Sequence, residues 1–162
     1  MDRRTITLIA ASALLAVIVA VVLITGGSDE SSSSADLTDT SVKPTIEAPG
    51  DPAPTELVTN DIVEGSGPAA KNGDEVSVQY VGALYDTGQE FDASWDRGTP
   101  FDLTLGGGTV IQGWDQGLVG MKAGGRRELI IPPDLGYGPQ GQPPSIPANA
   151  TLIFVVDMLS IN

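Results

Sequence analysis

Hydrophobic and polar positions divide the chain into three stretches of unlike pattern. From Ile6 to Ile24 nearly every residue is apolar, and no charge falls between Arg4 and Asp29. A helix of about 20 apolar residues spans the roughly 30 Å core of a bilayer, whereas the apolar part of a secretion signal runs to about 7–15. No A-x-A cleavage pattern follows, so residues 1–25 are expected to form a transmembrane anchor; a long cleaved export signal is the alternative. Arg3 and Arg4 precede the run and acids follow it, which leaves the N-terminus cytoplasmic and the rest outside. The "LITG" before Gly27 has the form of a bacterial lipobox without its cysteine, which excludes lipid attachment there.

Residues 26–56 show neither period. "SDESSSSADLTDT" and "KPTIEAPGDPAPTE" are rich in Ser, Pro and acids, with few large apolar residues to offset the entropy of ordering them. They are expected to be a disordered, solvated linker, with a coil reach of roughly 30 Å.

Strand periodicity begins after residue 56. "EVSVQYV" places Val76, Val78 and Tyr80 on one face, and "PFDLTL" does the same for Phe101, Leu103 and Leu105. "RRELII" and "TLIFVVDMLSI" follow, the last aligning Leu152, Phe154, Val156 and Met158. Turn signals separate them in "KNGD", "YDTGQ", "KAGG" and the proline-rich run from Pro132 to Pro147. Only Ile111, Trp114 and Leu118 recur with helical spacing, in the glycine-rich "GGGTVIQGWDQGLVG". The pattern predicts an α+β domain over 57–162, an antiparallel sheet curled over one short helix.

Composition narrows the chemistry. The chain has no cysteine and no histidine, which removes disulfides, thiolate metal sites, cysteine nucleophiles and the commonest general base. A net charge of −13, with only Lys71, Arg97, Lys122, Arg126 and Arg127 basic beyond position 56, argues against a nucleic-acid partner. All eight aromatic residues lie in the third region: Tyr80, Tyr85, Phe91, Trp95, Phe101, Trp114, Tyr137 and Phe154. Periodicity alone reads such scattered rings as ordinary core. Tyrosine qualifies that reading, because a buried hydroxyl needs a partner and so favours a cleft edge.

Two motifs offer rival chemistry. Asp86-Thr87-Gly88 matches the aspartic-protease signature, but it also suits a hairpin turn, and Gln89 stands where those proteases carry a small residue. Gly106-Gly107-Gly108 could cradle a phosphate, yet no P-loop lysine follows. Asn149-Ala150-Thr151 reads as the start of the last strand.

The run from Val76 to Gly138, with "IPANATLIFVVDML" after it, resembles the FKBP-type peptidyl-prolyl cis–trans isomerases, the family that binds rapamycin. Y-x-G, F-D-x-S, P-F, V-I-x-G-W, Y-G and I-P-x-x-A-T-L-x-F recur in that family's order across about residues 57–162. The resemblance implies an FKBP-like fold, a sheet half-wrapped around one short helix, with the pocket between them. It implies that Tyr80, Phe91, Asp92, Phe101, Ile111, Trp114, Tyr137 and Phe154 carry catalysis, with Arg97, Val110 and Ile146 binding substrate. Trp114 would be the floor. No cofactor or metal is implied. The expected partners are proline-containing polypeptides and rapamycin-type macrolides, and the expected state is a monomer tethered outside a bacterial plasma membrane. A non-catalytic tethered chaperone using the same cleft is the competing reading. One departure stands on the loop over the pocket, where family members often carry a histidine and this chain has Gln142.

Overall fold

The computed structural model describes residues 36–162. The expected anchor over 1–25 lies outside the described residues, among which no helix is long and apolar enough to cross a membrane. Among the described residues eight strands form: β1 (Val58–Val63), β2 (Ser66–Ala69), β3 (Glu75–Leu84), β4 (Glu90–Ala93), β5 (Phe101–Thr104), β6 (Lys122–Ala123), β7 (Arg126–Ile131) and β8 (Leu152–Ile161). Two short helices accompany them, α1 (Ser94–Arg97) and α2 (Gln112–Gly117), and 3-10 turns occur at Pro133–Leu135 and Gly138–Gln140. The main sheet runs β1-β7-β8-β3-β4 with β5 also on β3, and all of its pairings are antiparallel. β2 and β6 make a separate ribbon.

The strands expected from alternation are present. Val76, Val78 and Tyr80 of β3 share the inner face with Leu129 and Ile131 of β7 and with Leu152, Phe154, Val156 and Met158 of β8. That face packs on Trp114 of α2 and on Leu118, which caps its C-terminal end; α2 is the helix expected from their spacing. Two glycines make the close approach possible. A Cβ on Gly113 would stand 2.4 Å from Ile131 Cγ2, and one on Gly117 would stand 2.8 Å from Leu129 Cδ2. Glycine weakens α2 as an isolated helix but lets its backbone rest on β7.

Arginine holds both sides of the sheet. Successive residues of a strand face opposite ways, so Arg126 and Arg127 part company. Arg127 turns inward, donates to Gly117 O at 2.8 Å at the end of α2 and to Val119 O at 3.0 Å just beyond it, and pairs with Asp61 of β1 at 2.6 Å. Arg126 turns outward and is fully buried, paired in register with Asp157 at 2.5 Å.

The outer face corrects the expectation of a wholly solvated linker. Residues 26–35 of that linker lie outside the described residues, but residues 36–56 belong to the same compact unit as the domain. Arg126 Nη1 donates to Leu37 O and Asp39 O, and Nη2 to Val42 O, each at 3.0 Å. With two donors on Asp157, all of the guanidinium's N–H groups are satisfied. Pro44 is buried, Ile46 packs against Ala83, Tyr85 and Ile153, and Gly88 leaves room for the backbone at Ala48. Residues 36–48 are thus a strap across the sheet; most of 49–56 is exposed. Composition predicted a solvated coil because it counts side chains, whereas the strap binds largely through its backbone carbonyls.

Candidate active site

Inner-face side chains converge on one cavity of about 400 Å³. β3 supplies Tyr80, β4 Phe91 and Asp92, β5 Phe101, β8 Phe154, and α2 Trp114; Thr109, Val110 and Ile111 come from the loop before α2, and Tyr137 from the chain between the 3-10 turns. Nine of the eleven residues expected from the sequence therefore line it. Arg97 reaches it through Asp92 and Tyr80. Ile146 lines an adjoining cavity of about 330 Å³ with Gln142, Pro143 and Ser145, and that cavity shares Phe91, Asp92 and Tyr137 with the first. Thr109 was not anticipated; it lies one residue before the V-I-x-G-W motif, and no periodicity marks it.

Six of the eight aromatic rings line the cavity. Trp114 is the hub, only 4% exposed, with Tyr80 at 5.0 Å, Phe154 at 5.4 Å and Phe101 at 6.0 Å between ring centroids, all near perpendicular. Phe91 meets Phe154 edge-on at 5.6 Å. Edge-to-face pairs of this kind add about 0.5–1.5 kcal/mol beyond the area they bury. Gly82 makes the Phe91–Phe154 pair possible. A Cβ there would lie 2.6 Å from Phe154 Cε1 and 2.9 Å from Phe91 Cζ. The sequence carries a signal for it, since Gly82 holds an inner-facing position on a strand whose other inner positions are large.

One polar edge interrupts the apolar wall. The Tyr80 hydroxyl donates to Asp92 Oδ2, and Arg97 donates to Asp92 Oδ1 at 2.5 Å and to the Tyr80 oxygen at 2.9 Å. Burial pushes the Tyr80 phenol up to about 12, and the bond to Asp92 adds to that, while Arg97 opposes it. The Asp92 carboxylate holds the Arg97 guanidinium above its ordinary value. Burial, then the charge of Asp92, raises Tyr137. Among the described residues the Tyr137 hydroxyl, the Ile111 N–H and the buried indole N–H of Trp114 have no hydrogen-bond partner. The Tyr137 hydroxyl and the Ile111 N–H remain for whatever enters, while the indole N–H lies out of reach of solvent.

The rival motifs resolve into structure. Asp86-Thr87-Gly88 is the turn of the β3–β4 hairpin, closed by Gly88 N–H on Leu84 O at 2.8 Å with Gly88 at φ 68°, and Asp86 is exposed away from the cavity. The triple-glycine loop already holds an anion: Gly106 and Gly108 donate to the Asp115 carboxylate at 2.9 and 3.1 Å. Among the described residues no acidic cluster suits a metal ion.

A family model described as FKBP-type peptidyl-prolyl cis-trans isomerase matches residues 67–159. An "FK506-binding protein" of Streptomyces anulatus is 54% identical over 120 residues, covering 74% of this chain and 97% of its own. "Peptidyl-prolyl cis-trans isomerase FKBP15-2" of Arabidopsis thaliana is 53% identical over 93 residues, 57% of this chain and 56% of its own. Among solved structures, AtFKBP13 superposes with a TM-score of 0.62 at 37% identity, over 68% of this chain and 96% of that one.

Proposed function

This chain belongs to the FKBP-type peptidyl-prolyl cis–trans isomerase family and is an isomerase of that kind, and from that premise we propose that it rotates X-Pro bonds inside the aromatic cavity described above. The convergence of six rings on one trough, with Trp114 beneath three of them, is the observation that carries the reading.

Rotation about a peptide bond faces a barrier of about 18–20 kcal/mol, and unaided X-Pro isomerisation takes tens to hundreds of seconds. Resonance makes the planar amide polar, negative at oxygen. Twisting breaks that resonance and leaves a less polar species. Water therefore favours the planar form, and a wall of rings favours the twisted one by comparison. Trp114, Phe101, Tyr80 and Phe154 form the slot for the pyrrolidine, with Val110 and Ile111 closing one wall. The Ile111 N–H and Tyr137 hydroxyl donate to substrate carbonyls on either side of the bond and fix its orientation. Asp92 faces the carbonyl that turns. Its negative charge opposes the charge on the planar amide oxygen more than that on the twisted one. Arg97 and the Tyr80 hydroxyl hold it in place. Ordinary turnover asks roughly 5–8 kcal/mol of this arrangement, with no nucleophile, metal or base.

The same reading places the enzyme on the outer side of a bacterial plasma membrane, a monomer acting on exported chains. The apolar run of 6–24, its preceding arginines and the acids after it support that placement. Family members bind proline-containing peptides and FK506-type ligands; a rapamycin-type macrolide is expected to compete for the slot. Proline-limited refolding of a client protein is the test. Acceleration blocked by the macrolide supports the enzyme reading, and peptide binding without acceleration would replace it with a tethered chaperone.

A further inference from the structure

The strap carries one cation, and it is spent on the far side of the catalytic edge. Lys43 Nζ lies 2.9 Å from Glu90 Oε1 on β4 and 2.7 Å from Asp96 Oδ1 on α1. The bond to Asp96 is the main cause that raises the Lys43 ammonium, and the same bond leads in lowering the Asp96 carboxyl. Glu90 stands just before Phe91 and Asp92; Asp96 stands just before Arg97. The ammonium therefore bridges the two elements whose neighbouring residues form the polar edge of the cavity.

α1 is anchored more firmly at its start than at its end, because Ser94 is fully buried and Trp95 half-buried whereas Asp96 and Arg97 are exposed. Ser94 fixes its first residue, accepting the Tyr80 N–H at 2.8 Å. Its N-cap position has no side-chain bond, and its last turn ends at Gly98 with φ 66°. Among the described residues, the two exposed side chains that end α1 are held by Asp92–Arg97, Arg97–Tyr80 and Lys43–Asp96. Without Lys43, Glu90 and Asp96 would be like charges facing each other beside Asp92. Exposed pairs contribute little to stability, so the consequence falls on geometry. The strap that presents Lys43 is secured separately, by Arg126.

We propose that Lys43 is a positioning residue of the isomerase site: from the strap it pins α1 to β4 and so keeps the Arg97 guanidinium on the Asp92 carboxylate and the Tyr80 hydroxyl. The inference rests on Asp92 and Arg97 belonging to the site. Peptide isomerisation by the 162-residue chain tests it, comparing the parent with Lys43→Met, Lys43→Arg, Glu90→Gln/Asp96→Asn, the triple variant and Asp92→Asn. Lys43→Met is expected to lower kcat three- to tenfold with KM within twofold and an unchanged unfolding midpoint, and Lys43→Arg to restore most of it. The NMR shift of the Arg97 Nε–Hε group should move in the first and return in the second. In the Glu90→Gln/Asp96→Asn background, Lys43→Met should change nothing further. Unchanged kcat in Lys43→Met, with Asp92→Asn impaired, overturns the role of Lys43 alone. Unchanged kcat in both overturns the assignment of Asp92 to the site, and this inference with it. An equal loss from Lys43→Met in both backgrounds overturns it too, because the effect would then bypass the two carboxylates.

Discussion

The two faces of the central sheet are both covered, by opposite means. On the inner face, rings and aliphatic side chains from α2 and five strands meet one another, and the cover contributes apolar area. On the outer face the cover is a strap of thirteen residues, 36–48, that contributes three carbonyls to Arg126 beside the side chains of Pro44 and Ile46. Apolar burial is non-directional and roughly proportional to area, so the inner face tolerates an unfilled trough at its mouth. A buried guanidinium is directional and demands a partner for each donor. The outer face is therefore closed by directional bonds, whereas the inner face is left open at its trough.

Removing the guanidinium breaks this contrast most sharply. Arg126→Leu would strand Asp157, 3% exposed, without its partner, and stability should fall by about 3–5 kcal/mol in denaturant titration. The strap should lose its protection from hydrogen exchange in the same variant. Arg126→Leu with Asp157→Leu should recover much of the stability but not the strap, whose carbonyls would have no donor. A strap still protected in the double variant would show that Pro44 and Ile46 suffice to hold it.

Gly82→Ala probes the inner face next. Its Cβ would press on both Phe154 and Phe91, an overpacking cost of about 1–3 kcal/mol. Because those rings line the cavity, isomerase activity should fall along with the unfolding midpoint. Phe101→Ala separates the two readouts. That ring is 36% exposed, so its loss should leave the domain folded while kcat/KM drops at least tenfold, about 1.4 kcal/mol in the barrier. Full turnover of an Ala-Leu-Pro-Phe peptide by this variant would remove Phe101 from the slot.

The contrast also explains what the sequence disclosed. Side chains that bury on one face recur with the period of their strand, so β3, β5, β7, β8 and α2 were visible in spacing alone. β1 was not: Thr59, Asn60 and Asp61 are exposed on an edge strand that pairs only with β7. α1, at four residues, is too short to show a period. The cavity was legible only through the family's motifs, because no local pattern tells that Phe91 and Phe154, 63 positions apart, meet across Gly82. The strap left no trace at all. The atoms it offers Arg126 are backbone oxygens, identical in every residue, and Arg126 in "RRELII" looks like half of an ordinary charged pair at a strand start.

The smallest expected effect concerns the single polar seam in the apolar wall, and its sign follows from linkage. Tyr80 ionises near 10 in the unfolded chain and at about 12 in the folded one, first because burial disfavours the phenolate and then because Asp92 accepts its proton in a hydrogen bond. Between those values the folded state keeps a proton that the unfolded state has released. Stability from this group is thus complete below pH 10 and is lost as pH climbs toward 12. Its size should be on the order of 1 kcal/mol, since Asp92 and Arg97 are themselves open to solvent on one side. Denaturant midpoints of the parent and Tyr80→Phe should differ by a constant amount from pH 7 to 9, and the gap should shift against the parent above pH 10. Activity should show no step from this phenol across pH 6–9. A parallel pair of stability curves up to pH 11.5 would mean that the Tyr80 hydroxyl is solvated in the folded enzyme, and the seam would then be an open edge of the trough, no longer a part of its wall.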